Sequence, residues 1–217
     1  MRALLVHGIA RTPLSLFRLG RDLRRIGCAP EYAGYVATIE SFARISDRVN
    51  RRVAAMAGAG DDYVLIGHSM GGLLLRIAAA ALPPSLPAPR HLIMLGTPNH
   101  SPRLARRLHD SFFYRLVHGE CGDVLADQNI FADIPSPTYP STIIAGTRGV
   151  WGHGSPFGDE PNDGIVALSE ARLTADIPVI EIHIGHARMP GAREVRGEVL
   201  GIVKGEGRRE KGKGIRD

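Results

Sequence analysis

Short apolar runs alternate along this chain with longer segments in which apolar residues recur every three to four positions. The runs predict strands, and they cover residues 2–6, 32–36, 63–66, 91–95, 141–145 and 178–184. The periodic segments predict helices over residues 13–27, 41–57, 73–82 and 191–203. Strands that alternate with helices favour the α/β class, with a mostly parallel sheet that carries helices on both faces.

Residues 99–140 do not follow this alternation. They come directly after the predicted strand at 91–95 and contain a basic amphipathic stretch, residues 104–117, which predicts one short helix. Ligands of open α/β sheets bind beyond the carboxyl ends of the strands, where this segment starts. It therefore fits a small lid or pocket wall, and a helix that merely covers the sheet is an equal alternative.

The length of 217 residues fits one domain with a sizeable core, which we assign to residues 1–204. Residues 205–217 carry five basic and three acidic side chains, and Ile215 is their one large apolar side chain. Such a segment cannot bury enough apolar surface to offset the entropy lost on ordering. It is therefore predicted to be a flexible charged tail.

Charge and composition exclude several classes of function. The net charge is +5, of which +2 lies in the tail, and the rest is scattered without interleaved aromatic side chains, so nucleic acid is not an expected partner. No apolar run has transmembrane length, and residues 2–6 are typical of a strand, not of a signal peptide. We expect a cytoplasmic protein, although removal of a leader would change that expectation. Cys28 and Cys121 form no metal-binding pattern, and two thiols fit better than a disulfide.

One serine stands between a predicted strand and a predicted helix, in the stretch "VLIGHSMGG". The pattern Gly67-x-Ser69-x-Gly71 occurs by chance in glycine-rich chains, so its context decides its meaning. Here it follows the apolar run at 63–66 and precedes the helix-forming residues 73–82. Strand, sharp turn and helix make up a nucleophile elbow, and Ser69 is therefore the candidate nucleophile.

A serine hydroxyl needs a base to accept its proton and an acid to orient that base. On this kind of sheet their order along the chain is serine, acid, histidine. Asp163, in the turn 161–164, is the candidate acid, and Asp159 in the same loop is the alternative. His186 follows the last predicted strand and is the candidate base. His183 lies inside that predicted strand and is expected to pack there.

The charge that develops on the substrate oxygen needs hydrogen-bond donors, for which backbone amides are the candidates. Met70 follows the nucleophile, and Ile9 lies in the turn after the first strand, where Gly8 permits a close approach. His7 and His68 flank these two turns. We expect them to buttress the turns and not to act as bases.

These residues together resemble the α/β-hydrolase family, in particular small bacterial lipases and esterases with little or no cap domain. The resemblance extends over residues 4–203 and rests on "LLVHGIART", "VLIGHSMGG", "LIMLGTPNH", "STIIAGT", "NDGIVALSEARL" and "IGHARMP". It implies a compact α/β-hydrolase fold and the hydrolysis of carboxylic esters through an acyl-enzyme on Ser69. It also implies a small acyl-ester substrate and no metal or organic cofactor.

Other functions are compatible with the same residues. An acyltransferase, a thioesterase or an amidase can use the same triad, and a binding protein without catalysis can keep the fold. The complete set of Ser69, Asp163 and His186 argues against the binding protein. Because no large lid is predicted, we expect a preference for acyl groups of about four to ten carbons and no rate increase at a lipid–water interface.

Overall fold

The computed structural model describes residues 1–206, apart from the side chains of Phe112, Phe113 and Arg115. Its strands are β1 (Arg2–Val6), β2 (Ala29–Ala33), β3 (Tyr63–His68), β4 (His91–Leu95), β5 (Ser141–Gly146) and β6 (Val179–Ile182). They form a sheet with the order β2-β1-β3-β4-β5-β6, and every neighbouring pair runs parallel. The predicted α/β class is confirmed. Apart from Gly205 and Glu206, the predicted tail lies outside the described residues.

Helices connect these strands. They are α1 (Phe17–Arg25), α2 (Phe42–Gly58), α3 (Met70–Ala80), α4 (Arg103–Leu108), α5 (Phe112–Ala126), α6 (Gln128–Asp133), α7 (Leu168–Ala171) and α8 (Arg193–Lys204). Two short 3-10 helices, Pro13–Leu16 and His186–Gly191, precede α1 and α8. The helices predicted from residue 13 and from residue 191 therefore begin later as α-helices, at Phe17 and at Arg193.

The core lies in two layers, one on each face of the sheet. Leu4 and Leu65 pack into the layer that contains α2 and α3, and Leu5 and Ile66 pack into the layer that contains α1 and α8. Alternate residues of a strand point to opposite faces, so strands covered on both sides are apolar throughout. The predicted placement of helices on both faces is confirmed.

Two strands differ from the prediction in their bounds. The strand predicted at 32–36 is β2 at Ala29–Ala33, because its register against β1 pairs Arg2 with Ala29 and Val6 with Ala33. Pro30 fits there because β2 is an edge strand. The strand predicted at 178–184 ends at Ile182. His183 therefore lies beyond the strand and is exposed, and the expectation that it packs inside the strand is wrong.

The prediction of one short helix within residues 99–140 is also wrong, because the structure has α4, α5 and α6 there. α5 continues past Gly119, which has a non-helical φ of 54°. A Cβ on Gly119 would lie 2.6 Å from the carbonyl oxygen of Ala37. This glycine therefore lets a kinked helix pack against a distant loop, and a pattern of local periodicity contains no sign of that contact.

Both cysteines, Cys28 and Cys121, are buried and free, so the prediction of two thiols is confirmed. None of the helices within residues 1–206 has both the length and the apolar character that a membrane span requires.

Candidate active site

Ser69 occupies the sharp turn between β3 and α3. Its φ of 54° and ψ of −129° are unusual for a residue with a side chain, and such conformations occur mostly where the surrounding structure enforces them. Its amide donates to the carbonyl oxygen of Leu95 at 2.8 Å, which ties the turn to β4. A side chain on Gly67 would collide with the backbone of Gly72, and one on Gly71 would collide with the β1 end. Both glycines of the motif are therefore required, because a larger side chain at either position would collide with neighbouring backbone.

Asp163 and His186 form a hydrogen-bonded pair. His186 Nδ1 lies 2.7 Å from Asp163 Oδ2, and the backbone amide of His186 donates to the carbonyl oxygen of Asp163 at 2.9 Å. The other carboxylate oxygen, Oδ1, accepts the amides of Ile165 and Val166 at 2.9 and 2.8 Å. The Asp163 side chain is only 1% exposed. Because a carboxylate accepts, Nδ1 carries the proton and Nε2 of His186 keeps a free lone pair.

Asp159, the alternative acid, is exposed in the loop before this turn. The structure thus brings Asp163, and not Asp159, to His186. Ser69 and His186 line the same cavity, and within residues 1–206 no hydrogen bond joins their side chains. Hydrogen bonds between nucleophile and base are often long before substrate binds and tighten in the complex.

Two backbone amides lie beside this cavity and have no acceptor among the described residues. Met70 is the first residue of α3, so its amide has no partner within the helix, and the amide of Ile9 likewise bonds to no acceptor in the described chain. Both Ile9 and Ser69 line the cavity. The amino terminus of an eleven-residue helix also favours negative charge at this position. Gly8 is required nearby, since a Cβ there would lie 2.8 Å from Ser69 Cβ.

His7 holds the turn that carries the Ile9 amide. Its Nδ1 donates to the carbonyl oxygen of Gly8 at 2.8 Å, and its Nε2 accepts the amide of Tyr35 at 3.3 Å. The Tyr35 hydroxyl donates to the carbonyl oxygen of His7 at 2.8 Å, and the two rings stack with centroids 4.3 Å apart. Burial lowers the pKa of His7, so the ring stays neutral. Its contacts are those of the expected buttress.

His68 connects the elbow to the histidine loop. Its Nε2 donates to the carbonyl oxygen of His186 at 3.1 Å, and the two rings lie 4.9 Å apart. Burial, followed by the proximity of His186, lowers the pKa of His68 well below its usual value. A neutral ring with a proton on Nε2 therefore supports the backbone of the candidate base.

Three further residues shape the site and were not recognised from the sequence. Gly96, at φ 53°, leaves room for the pair, because a Cβ there would lie 3.1 Å from both Asp163 Oδ2 and His186 Nδ1. A Cβ on Gly146 would lie 2.7 Å from Asp163 Cβ. Asn162 is fully buried, and its side chain makes four hydrogen bonds to loop backbone. The one sign of Gly96 and Gly146 in the sequence is that each comes at the end of a predicted buried strand.

A cavity of about 390 Å³ opens at Ser69 and His186. Its walls are mostly apolar. The residues that line it from the region 99–140 and from the loop after Asp163 are Pro102, Leu104, Ala105, Leu108, Tyr114, His118, Leu125, Ile165 and Val166. The predicted helix at 104–117 ends with five large apolar or aromatic side chains; of these, Tyr114 lines the cavity, whereas Leu116 and Val117 are exposed. The other two are Phe112 and Phe113, whose side chains are not among those that the structure describes.

Arg76 joins α3 to the end of the same region. Its guanidinium donates to the carbonyl oxygens of Pro135 and Ile134 at 3.0 and 2.6 Å, and to Asn99 Oδ1 at 3.2 Å. Burial lowers the pKa of Arg76 to about 10. Because the guanidinium donates its hydrogen bonds to neighbouring loops, Arg76 has a structural role. Within residues 1–206, no group of three His, Cys, Asp or Glu side chains is arranged to hold a metal ion.

Comparison of the sequence with family models and with curated proteins gives no match. Comparison of structures does. The mature lipase BlEst2 of Bacillus licheniformis matches with a TM-score of 0.70 over 94% of this chain and 91% of the lipase, at 15% identity. Together with the parallel sheet and the elbow, this match decides the fold. It is the α/β-hydrolase fold.

Other chains with the α/β-hydrolase fold also match. The RedJ thioesterase of Streptomyces coelicolor, from the prodiginine biosynthetic pathway, has a TM-score of 0.58 over 94% of this chain and 85% of its own, at 17% identity. The phospholipase PlaB of Legionella pneumophila has a TM-score of 0.61 over 79% of this chain and 46% of its own, at 18% identity. Identities this low establish the α/β-hydrolase fold and leave the reaction to be argued from the site.

Proposed function

We propose that this protein is a serine hydrolase that cleaves carboxylic esters through an acyl-enzyme on Ser69. The observation that carries the proposal is the hydrogen-bonded pair of Asp163 and His186, whose histidine lines the same cavity as a conformationally strained serine at a helix amino terminus. The free amides of Ile9 and Met70 support it. So do the names of the matching structures, a lipase, a phospholipase and a thioesterase.

The reaction follows from these groups. Ser69 Oγ attacks the acyl carbonyl carbon while His186 Nε2 accepts the hydroxyl proton, and Asp163 stabilises the imidazolium that results. The amides of Ile9 and Met70 bind the developing oxyanion. His186 then donates the proton to the leaving oxygen, the C–O bond breaks and the alcohol departs. Water, activated by His186, attacks the acyl-enzyme and releases the carboxylic acid.

Labelling with a fluorophosphonate probe tests the proposal. The probe should modify the wild-type protein at the peptide that contains Ser69, as read by mass spectrometry, because an activated serine attacks phosphorus. Ser69→Ala should abolish labelling and reduce ester hydrolysis by about three or more orders of magnitude, while the melting temperature stays unchanged. A wild-type protein that resists the probe, or a Ser69→Ala variant that keeps its activity, would contradict the assignment.

A further inference from the structure

A groove of about 420 Å³ adjoins the cavity at Ser69 and His186, which we call the catalytic cavity, and shares Arg11 and Ala187 with it. Three arginines line this groove, and each comes from a different part of the chain. Arg11 follows the β1 turn, Arg18 lies on α1, and Arg188 lies two residues after His186. All three are exposed, and we call the surface they line the arginine groove.

In the described part of the chain, the charges of these three arginines have no acidic partner. Within residues 1–206, none of the three forms an ion pair, and the residues that line the arginine groove include no aspartate or glutamate. Asp22, one turn beyond Arg18 on α1, is already engaged by Arg25 at 3.0 Å and by Arg196 at 3.2 Å. The groove therefore presents guanidinium groups that are available to an anionic ligand.

The arginine groove adjoins the candidate base, because Ala187 lines both the groove and the cavity that contains His186. In the proposed reaction His186 protonates the departing atom, so the leaving group must lie next to this ring. Ala187 and Arg188 follow His186 directly and line the arginine groove. The apolar side chains of α4 and α5 line the catalytic cavity and not the groove. The acyl chain and the leaving group thus have separate surfaces.

We propose that the leaving group of the substrate carries a phosphate that Arg11, Arg18 and Arg188 bind. This inference rests on the proposed function. A phosphate offers three acceptor oxygens and up to two negative charges, which match planar guanidinium donors. Leu14 and Ile184 also line the groove and provide apolar surface for a short carbon spacer. The substrate class is an acyl ester or thioester of a phosphorylated alcohol or thiol.

The phosphate takes no part in bond making. The acyl C–O or C–S bond breaks, the proton from His186 goes to the departing oxygen or sulfur, and the phosphate leaves intact on that alcohol or thiol. Binding of the phosphate therefore affects affinity and positioning of the substrate, and a neutral ester with the same acyl group should react more slowly.

Matched substrates test the inference. One pair compares kcat/KM for monomeric 1-octanoylglycerol and its 3-phosphate, and a second pair compares S-octanoyl-pantetheine with S-octanoyl-4′-phosphopantetheine. We expect the phosphorylated member of at least one pair to be preferred by about tenfold or more, and sodium chloride to reduce that preference. The pair whose phosphorylated member has the larger kcat/KM identifies an oxygen or a sulfur leaving group.

The double variant Arg18→Gln/Arg188→Gln should reduce the preference ratio to about threefold or less, because two charge-assisted contacts are lost. The matched control is Arg51→Gln, an exposed arginine on α2 that is remote from the groove, and it should keep the wild-type ratio. An equal reduction of both rates by the double variant would mean that the arginines act on structure alone. A wild type without any preference would overturn the inference.

Two further outcomes separate the competing explanations. If the double variant changes only the binding of vesicles that contain anionic lipid, and not the ratio for monomeric substrates, the groove docks on membranes and the inference is wrong. If Ser69 is not labelled and no ester is cleaved, the proposed function fails. Calorimetry with glycerol 3-phosphate, in the wild type and the double variant, then still decides whether the groove binds phosphate.

Discussion

At the scale of single residues, the Asp163 carboxylate divides its two oxygens between two tasks. Oδ1 accepts two amides of its own loop, and Oδ2 faces His186 Nδ1. The first set of bonds fixes the carboxylate in place, and the second selects the ring tautomer with a free Nε2. The acid thus contributes both position and charge to the proposed base.

Asp163→Asn should therefore reduce kcat for a p-nitrophenyl ester by about three to four orders of magnitude. The asparagine keeps an acceptor for the loop amides, but its NH₂ group would face His186 and favour the tautomer with the proton on Nε2. The control is Asp159→Asn in the same loop, for which a change of about twofold or less is expected, since its side chain is exposed. A larger loss in Asp159→Asn than in Asp163→Asn would reverse the choice of acid.

Buried neutral histidines make the stability of the protein depend on pH. The pKa of His68 lies well below 6.5 in the folded chain because its ring is buried and lies next to His186, whereas an unfolded chain has the ordinary value. Between the folded pKa and 6.5, the unfolded state binds more protons, so the free energy of unfolding falls as pH falls through this range. Burial of His7 acts in the same direction.

Chemical denaturation at several pH values from about 7.5 to about 5, a range that spans the ordinary histidine pKa, should show this loss. His68→Gln should make the dependence of the unfolding free energy on pH shallower. Glutamine keeps a donor for the His186 carbonyl oxygen but cannot take up a proton. The exposed His153 provides the control, since His153→Gln should leave the slope as in the wild type. An identical slope in His68→Gln would show that other groups account for the acid sensitivity.

The candidate residues were accessible from the sequence because their chemistry demands an order along the chain. Ser69 needed a strand and a helix around it, and His186 needed the end of the last strand. Asn162 and Gly96 have no such signature. Their importance arises from contacts with side chains that are far away in sequence, and only the folded structure brings these together.

At the scale of elements, apolar runs located the buried strands well, since a strand covered on both faces is apolar throughout. They located the two edge strands of the sheet less accurately. β2 contains Pro30 and Glu31 and is shifted by its pairing with β1, and β6 ends at Ile182, short of the predicted bound. Within residues 99–140 one helix was predicted where the structure has three, and one reason is that Gly119 interrupts the periodicity of α5 where it packs on another loop.

The end of β4 offers a test of how an element positions the pair. Gly96→Ala should lower kcat strongly and destabilise the fold by about 1–3 kcal/mol, because alanine is strained at a φ of 53° and its Cβ would press on Asp163 and His186. The matched control is Gly197→Ala in α8, where a Cβ meets no atom within 4 Å. That variant should be more stable by about 0.5–1 kcal/mol, with the wild-type kcat. Thermal unfolding and initial rates report both effects, and a fully active Gly96→Ala would contradict this view of β4.

At the scale of the whole molecule, the sheet brings together residues from both halves of the chain at the carboxyl ends of its strands. β1 and β3 lead to the candidate oxyanion amides and the candidate nucleophile, and β5 and β6 lead to the candidate acid and base. The region between β4 and β5 adds α4 and α5, whose side chains line the catalytic cavity. The sheet and the pocket wall thus come from different parts of the chain. Substitutions in the wall should change the preference among substrates more than the rate of the bond-breaking step.

The size of the cavity leads to the last prediction. A volume of about 390 Å³ is at the small end for ligand pockets, so it can enclose a short or medium acyl chain while further methylenes stay in water and gain little. In a series of p-nitrophenyl esters, kcat/KM should be highest at about four to ten carbons, without a jump when a substrate passes its solubility limit. Ala105→Leu, which fills the cavity from α4, should move the optimum to shorter chains, whereas Ala80→Leu at the exposed end of α3 should not. Best activity on emulsions of long-chain triglycerides would mean that α4 and α5 move aside as a lid and that the closed cavity does not limit the acyl chain.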